Sequence, residues 1–368
     1  MPKRGENIRK RKDGRWEGRI LVEQAGKQKY KSVYANSYYE VKTKVKNFET
    51  TMPQKEKTAQ NIDFESVCFQ WLKENEIKNK QSTCARYKYI IEKYIFQNIK
   101  SVSIAELTKE HINSLTRNLM YQNELSAKTI QDILNVLYQI IRFAENQNYI
   151  EGFNFSVTKP KLQKNDLQVL TPDEQERLVI YLKAHKNYES MGILLSLFLG
   201  LRLGEICALK WSDIDIQRKT ISINKTMQRI INKDKNENGK TKIIIDTPKS
   251  QKSIRKIPIP EFLVSDLIDL SLNCSMNAYF LTGSINKFTE PRLFQYKFKK
   301  YVKESGINDI NFHALRHTFA TRAVEQNFDV KSLSEILGHS TVGFTLDRYV
   351  HPSFELKKQS IEKLVACY

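Results

Sequence analysis

Two histidines, an arginine and a tyrosine between positions 313 and 349 are of types that can bind and attack a phosphodiester. They stand in His313-Ala314-Leu315-Arg316-His317-Thr318, Leu337-Gly338-His339-Ser340 and Asp347-Arg348-Tyr349. His313 and Arg316 are three residues apart, so a helix puts them on one face. Leu315 and Phe319 then turn another side into the core. Arginine offers a planar fork of donors that matches phosphate oxygens and stays charged at any working pH. A tyrosine hydroxyl becomes a covalent nucleophile when its neighbours activate it. Each residue alone says little. Tyr349 is one of 17 tyrosines, and most tyrosines pack a ring and hydrogen-bond one end. A lone histidine is more often a packing residue. The set carries the chemistry.

Elements must hold that set in place. Ser332 to Leu337 is helix-like, and Gly338 suits the left-handed residue that closes a helix. His339 then falls on a loop, and Tyr349 precedes the chain break at Pro352. Upstream, Thr171-Pro172-Asp173-Glu174 opens a helix: Thr171 caps it, Pro172 suits its first position and Glu174 completes a capping box. Met191 to Leu199 is apolar enough for a core helix. It ends in Gly200-Leu201-Arg202-Leu203-Gly204-Glu205, which fixes an arginine close to the core. The plain alternative for Arg202 is a structural ion pair with Glu205. Thr220 to Ile231 and Thr241 to Asp246 are β-rich and joined by a charged loop, as in a hairpin. The segment Thr247 to Pro258 follows, with Lys249 and Lys252. A lysine there can reach a DNA strand.

The balance of charge agrees with a polyanionic partner. The chain of 368 residues carries a formal +19, the footprint of a nucleic-acid binder that ribosomal and membrane-surface proteins share. Its length predicts two or three domains, and 40% hydrophobic residues can fill real cores. No apolar run approaches membrane-spanning length, so a soluble chain is expected. The basic start, Met1-Pro2-Lys3-Arg4-Gly5, leads into no apolar segment, and no secretory signal is expected. Five scattered cysteines without a CxxC pair argue for a reducing compartment and against a disulfide frame or zinc site.

Residues 1–57 hold 16 Lys and Arg against 7 Asp and Glu. Asn7 to Lys12, Arg15 to Val22 and Lys29 to Tyr34 read as three strands, with turns at Asp13-Gly14 and Ala25-Gly26. Ser37 to Phe48 reads as a helix capped by Asn36 or Ser37. Such a basic sheet can read DNA, since strands enter grooves as helices do. Residues 52–61 form a linker. Four helices are predicted between Ile62 and Tyr149: from Phe64, over Ser82–Phe96, over Lys109–Tyr121 and over Ser126–Ala144. The last has Ile130, Ile133, Leu134, Leu137 and Ile141 on one face. Phe153 to Leu170 is a second linker.

In this order and at these separations, Gly200-Leu201-Arg202-Leu203-Gly204-Glu205, His313-Ala314-Leu315-Arg316-His317-Thr318, Leu337-Gly338-His339-Ser340 and Tyr349 resemble the catalytic domain of the tyrosine recombinases, also called the phage integrase family. The helical segment is similar to that family's core-site-binding domain, and the N-terminal sheet to an arm-site-binding domain. The implied fold is multidomain α+β. A small three-stranded sheet with a helix (1–57) precedes an all-α core-binding domain (62–152). A mainly α catalytic domain with a small sheet and hairpin follows (171–368).

The resemblance implies roles. Tyr349 attacks the scissile phosphate, forms a 3′-phosphotyrosyl link and releases a 5′-hydroxyl. Arg202 and Arg316 clamp the non-bridging oxygens. His313 and His339 hydrogen-bond the phosphate, and His313 is the candidate for the tyrosine proton. Lys249 is the general acid for the leaving 5′-oxygen, with Lys252 as the alternative. Glu205 orients Arg202, and His317 has a supporting or packing place. No cofactor or metal is implied, and none of the sequence patterns for a metal or P-loop is present. The implied partners are double-stranded DNA with core-type and arm-type sites and four protomers on it. An excisionase and a host DNA-bending protein are implied as accessories, in a bacterial cytoplasm. The tail after Tyr349 (Phe354, Leu356, Ile361, Leu364, Val365) reads as an amphipathic helix for a neighbouring protomer or for its own core. The expected activity is site-specific integration and excision of a mobile element. The alternatives are a type IB topoisomerase and a non-catalytic DNA-binding regulator.

Overall fold

The computed structural model describes residues 7–24, 27–51, 62–121, 125–153, 155, 157, 159–162, 167–232, 239–248, 251–272, 274–349 and 362. The Ala25-Gly26 turn, the 52–61 linker, Lys249 and the tail positions after Tyr349 expected to form a helix all lie outside them.

The first unit is a three-stranded antiparallel sheet, β1 (Ile8–Lys10), β2 (Trp16–Gln24) and β3 (Lys27–Ala35), in that order. Lys10 pairs with Trp16 and Trp16 with Ala35, so the turn at Asp13-Gly14 lies where the sequence puts it. Helix α1 (Tyr38–Thr51) covers one face. The Ser37 hydroxyl accepts from the Glu40 amide (3.2 Å), the expected cap. Ile8, Ala35 and Val41 form the small core, edged by Trp16 and Tyr38.

The second unit is helical. Helix α2 (Phe64–Lys78) is capped by Asp63. Helix α3 (Gln81–Ile90) passes through a π turn at Ile91–Ile95 into α4 (Phe96–Ile99). The sequence predicts one regular helix over Ser82–Phe96; the wider turn lets Ile91, Tyr94, Ile95 and Ile99 all face the core. Helices α5 (Lys109–Tyr121) and α6 (Ala127–Asn146) complete the bundle. The predicted apolar face of α6 is fully buried in it.

The third unit starts with α7 (Pro172–Ala184), whose capping box between Thr171 and Glu174 is present on both sides. The buried α8 (Tyr188–Leu199) and short α9 (Leu203–Ala208) follow. Strands β4 (Ile214–Asp215), β5 (Thr220–Ile223), β6 (Thr226–Ile231), β7 (Thr241–Asp246) and β8 (Arg255–Pro258) come next. Helices α10 (Glu261–Ser271), α11 (Pro291–Glu304), α12 (His313–Glu325), α13 (Val330–Leu337) and α14 (Val342–Tyr349) close the chain as described.

The β-rich run Thr220–Ile231 is two strands rather than one. It breaks at Asn224-Lys225, where the Asn224 amide donates to Asp213 at 3.3 Å. Its first half joins the sheet β4-β5-β8 through pairs such as Ile221 with Ile257. Its second half pairs with β7 as the expected hairpin. The stem of that hairpin touches the helical unit: Lys80 Nζ donates to Asp246 Oδ2 (3.1 Å), Thr247 Oγ1 (3.0 Å) and the Thr247 carbonyl. Among the described residues no helix is long and apolar enough to cross a membrane.

Candidate active site

Two left-handed glycines set the frame. Gly200 (φ 65°) ends α8 and turns the chain so that Arg202 caps α9. Gly338 (φ 64°) ends α13 and delivers His339. Only glycine takes such φ values without strain. A Cβ at Gly200 would also lie 2.8 Å from Leu337 and Phe319, so the two turns approach each other through a gap with no room for a side chain.

Arg202 donates to Glu205 Oε1 (2.7 Å) and to the Gly338 carbonyl (3.1 Å), which ties the first glycine turn to the second. Its side chain stays one-third exposed, so a guanidinium edge remains open to a ligand. The ion pair with Glu205 is therefore real, but it orients Arg202 without burying it.

Arg316 is 1% exposed. It donates to the carbonyls of Gly200 (2.8 Å) and Leu337 (2.6 Å) and lies 2.8 Å from His339 Nε2. The α12 face that carries it thus points into the seam between the two glycine turns, not away from the core. Burial, then Arg202, pushes its pKa down to about 9, which leaves it charged at neutral pH.

His339 is held at both ends, by Arg316 at Nε2 and by Thr345 Oγ1 at Nδ1 (2.7 Å). Burial, then Arg316 and Arg202, pushes it down to about 3. A neutral ring that accepts from Arg316 must donate from Nδ1 to Thr345. In this arrangement His339 orients Arg316, and contact with a phosphate requires an exchange of that partner.

Tyr349 ends α14 and is 7% exposed. Its ring lies parallel to that of His339, at 3° with centroids 6.3 Å apart. Its hydroxyl is 2.8 Å from His317 Nδ1. Burial raises its pKa, against the pull of Arg316 and Arg348, so the phenol is protonated at neutral pH. His317 is buried beside it, its ring edge-on to His313 at 4.5 Å. Protein bulk around it, then His313 and Arg348, pushes it down to about 4. His313, at the start of α12, is open to solvent at the rim. Surrounding protein, then Arg316 and Arg202, pushes it down to about 4 as well. The cations fix that direction, and the ring's exposure moderates its size.

Arg202, Arg316, His339 and Tyr349 are thus brought together, with His313 at the rim. Lys249 lies outside the described residues. Lys252 is nearby on a short turn, where Nζ donates to the Ser340 carbonyl (2.9 Å). Two residues of the site escaped the sequence reading. His317, given a supporting or packing place there, touches the phenol directly. Arg255, at the start of β8, makes a two-pronged buried pair with Glu205, both bonds 3.0 Å. Its only sequence signal was membership of the basic run Lys249 to Lys256. Among the described residues no cluster of His, Cys, Asp and Glu is arranged to hold a metal ion.

The model of the phage integrase family matches residues 168–355, just over half of the chain. A model of the N-terminal SAM-like domain of phage integrases matches residues 63–126. The chain belongs to the phage integrase family, the tyrosine recombinases, enzymes of DNA cleavage and strand exchange. It is 27% identical over 332 residues to a "Tyrosine recombinase XerC-like" protein of Caldanaerobacter subterraneus subsp. tengcongensis, covering 83% of this chain and 84% of that one. It is 25% identical over 320 residues to the ICEBs1 integrase of Bacillus subtilis, covering 83% of each. Its fold is similar to that of the Tn1549 transposon integrase, solved with a circular intermediate DNA, at a TM-score of 0.65 and 23% identity, covering 81% of this chain and 99% of that one. It is also similar to lambda integrase, solved as a tetramer on a Holliday junction, at a TM-score of 0.56 and 17% identity, covering 95% and 98%.

Proposed function

We propose that this recombinase is the site-specific integrase of a mobile element. It cuts one strand of each of two duplexes through a 3′-phosphotyrosyl intermediate and rejoins them to integrate or excise that element. The observation that carries this reading is the placement of Tyr349 beside Arg316 and His317 of α12 and beside His339, which the Gly338 turn delivers.

The proposed chemistry follows from the donors. Arginine has five N–H groups, and the bonds described here leave both guanidinia with donors to spare for phosphate oxygens. Charge grows on those oxygens in the transition state, where donors already in place are worth most. His313 at the rim hydrogen-bonds the phosphate. The departing 5′-oxygen needs a proton, and an ammonium after the β6–β7 hairpin supplies it; Lys249 takes that role, with Lys252 as the alternative. The phosphotyrosyl bond keeps the energy of the broken one, so a second 5′-hydroxyl reverses the step without cofactor or metal.

Under this reading residues 1–57 grip arm-type sites, 62–152 grip the core site and 171–368 cut. Four protomers assemble on the DNA in a bacterial cytoplasm, and an excisionase with a host DNA-bending protein sets direction. Support comes from the +19 charge, the two relatives and the DNA-bound structural neighbours.

The test is recombination between two plasmids, one bearing the joined ends of the element that encodes the chain and one bearing its target. The expected product is a cointegrate with exchanged ends, made by the wild type and not by Tyr349→Phe. Relaxation of any supercoiled plasmid regardless of sequence, or tight binding without strand exchange, would contradict the reading.

A further inference from the structure

We propose that His317 is the group that takes the phenolic proton of Tyr349 as the tyrosine attacks the phosphate. The inference deepens the recombinase reading and rests on it, since it presumes Tyr349 as nucleophile.

Three histidines line the site, and geometry separates them. His317 Nδ1 is 2.8 Å from the Tyr349 hydroxyl. His339 has both ring nitrogens engaged, one with Arg316 and one with Thr345. His313 packs its ring against His317 and has no hydrogen bond to the hydroxyl among those described. So the histidine on the residue after Arg316, not the one three before it, meets the reacting oxygen.

The role fixes the tautomer. To accept at Nδ1, the neutral ring of His317 must carry its hydrogen on Nε2. Arg348 Nη2 stands 3.5 Å from Nε2, the outer limit of a hydrogen bond, and a guanidinium only donates, so this tautomer requires Arg348 to leave Nε2. The groups facing the ring are His313 and Arg316 on its own helix and Arg348 and Tyr349 on α14. They keep the imidazole neutral, hence free to accept.

A neutral imidazole so depressed does not ionise a resting phenol. The transfer becomes favourable only as the bond from oxygen to phosphorus forms and the phenol turns strongly acidic. Proton transfer and attack are therefore one event. The Tyr349 oxygen bonds to phosphorus, the bond from phosphorus to the 5′-oxygen breaks, and the phenol proton moves to Nδ1. The leaving oxygen takes its proton from the hairpin-side lysine. In the reverse step Nδ1 returns the proton to the phenol. An incoming phosphate, being anionic, offsets the cations that hold the ring neutral.

The test measures single-turnover formation of the covalent adduct on a nicked duplex from the element's ends. His317→Gln and His317→Asn keep a polar group there but cannot accept the proton. Both are expected to form adduct about 100-fold more slowly or worse, within the usual range for a general base, with affinity for the duplex unchanged. A ring-fluorinated tyrosine at position 349, whose phenol is more acidic, is expected to recover most of that loss in His317→Gln and to change the wild type little. A purely structural role would leave the loss in place. The proposal is overturned if both variants cleave at the wild-type rate, if the fluorinated ring recovers nothing, or if His313→Gln shows the recoverable loss instead. A wild type that forms no adduct on this duplex overturns the recombinase reading itself.

Discussion

Arg255 and Glu205 face each other beneath the site, with each carboxylate oxygen on a different guanidinium nitrogen at 3.0 Å and side chains 6% and 2% exposed. The same carboxylate holds Arg202 through its side chain (2.7 Å) and its backbone amide (2.9 Å). Arg255 also reaches the carbonyls of Ser253 and Ile336. One buried pair thus couples the Arg202 turn, the strand after the hairpin and the end of α13.

Removing one partner of such a pair strands a charge in the interior, at a cost of about 3–5 kcal/mol. Arg255→Met is expected to lower unfolding free energy by that order in denaturant titrations and to slow adduct formation by displacing Arg202. Arg255→Lys is expected to recover little, since an ammonium cannot reproduce a two-pronged bond. Stability equal to wild type in Arg255→Met would contradict this.

The pair also predicts a pH dependence. Burial alone would raise the Glu205 pKa, but Arg255 and then Arg202 outweigh it and hold it at about 2, against an ordinary 4.5. A folded-state value below the unfolded one contributes stability above pH 4.5, and that contribution is lost as pH falls from 4.5 toward 2. Glu205→Gln melts at a lower temperature at pH 7 and loses less on acidification through this window. Parallel curves for the two proteins would count against the assignment.

For the histidines the sign works through a different window. His317 and His339 are held at about 4 and about 3, below the ordinary 6.5. The unfolded chain therefore binds more protons below pH 6.5, and stability falls as pH drops from 6.5 toward 4. Proton-exchange NMR of the two rings is expected to show no titration near pH 6.5 and midpoints below 5. A midpoint near 6.5 for either ring would refute the neutral site.

Gly338→Ala tests the turn that delivers His339. Its φ of 64° and the Arg255 and Ser253 atoms 3.2 Å from a would-be Cβ leave an alanine strained on two counts. The expected cost is about 1–3 kcal/mol, with slower adduct formation because Arg202 bonds the Gly338 carbonyl. A neutral effect on both thermal stability and rate would contradict it.

Local signals were the legible part. The Thr171 and Glu174 box, the apolar face of α6, the Asp13-Gly14 turn and the glycine end of α13 each depend on residues within a few positions of one another. The rest depends on distant neighbours. Nothing near Thr220 shows that β5 will pair with β8 while β6 pairs with β7. Arg255 stood among many cations, and its partner Glu205 is 50 residues away. His317 follows Arg316 and so points about 100° away from it around the helix. That direction looked like packing until α14 placed a tyrosine hydroxyl there. Arg316 was legible as a site residue, but its burial between two carbonyl turns was not.

The most direct measurement is identification of the covalent bond. A nicked duplex carrying the element's end is incubated with the protein, the DNA is digested away, and the adduct is located by peptide mass spectrometry. The account predicts a nucleotide joined through its 3′-phosphate to the oxygen of Tyr349. Attachment to any other residue, linkage through a 5′-phosphate, or tight binding with no adduct would contradict it.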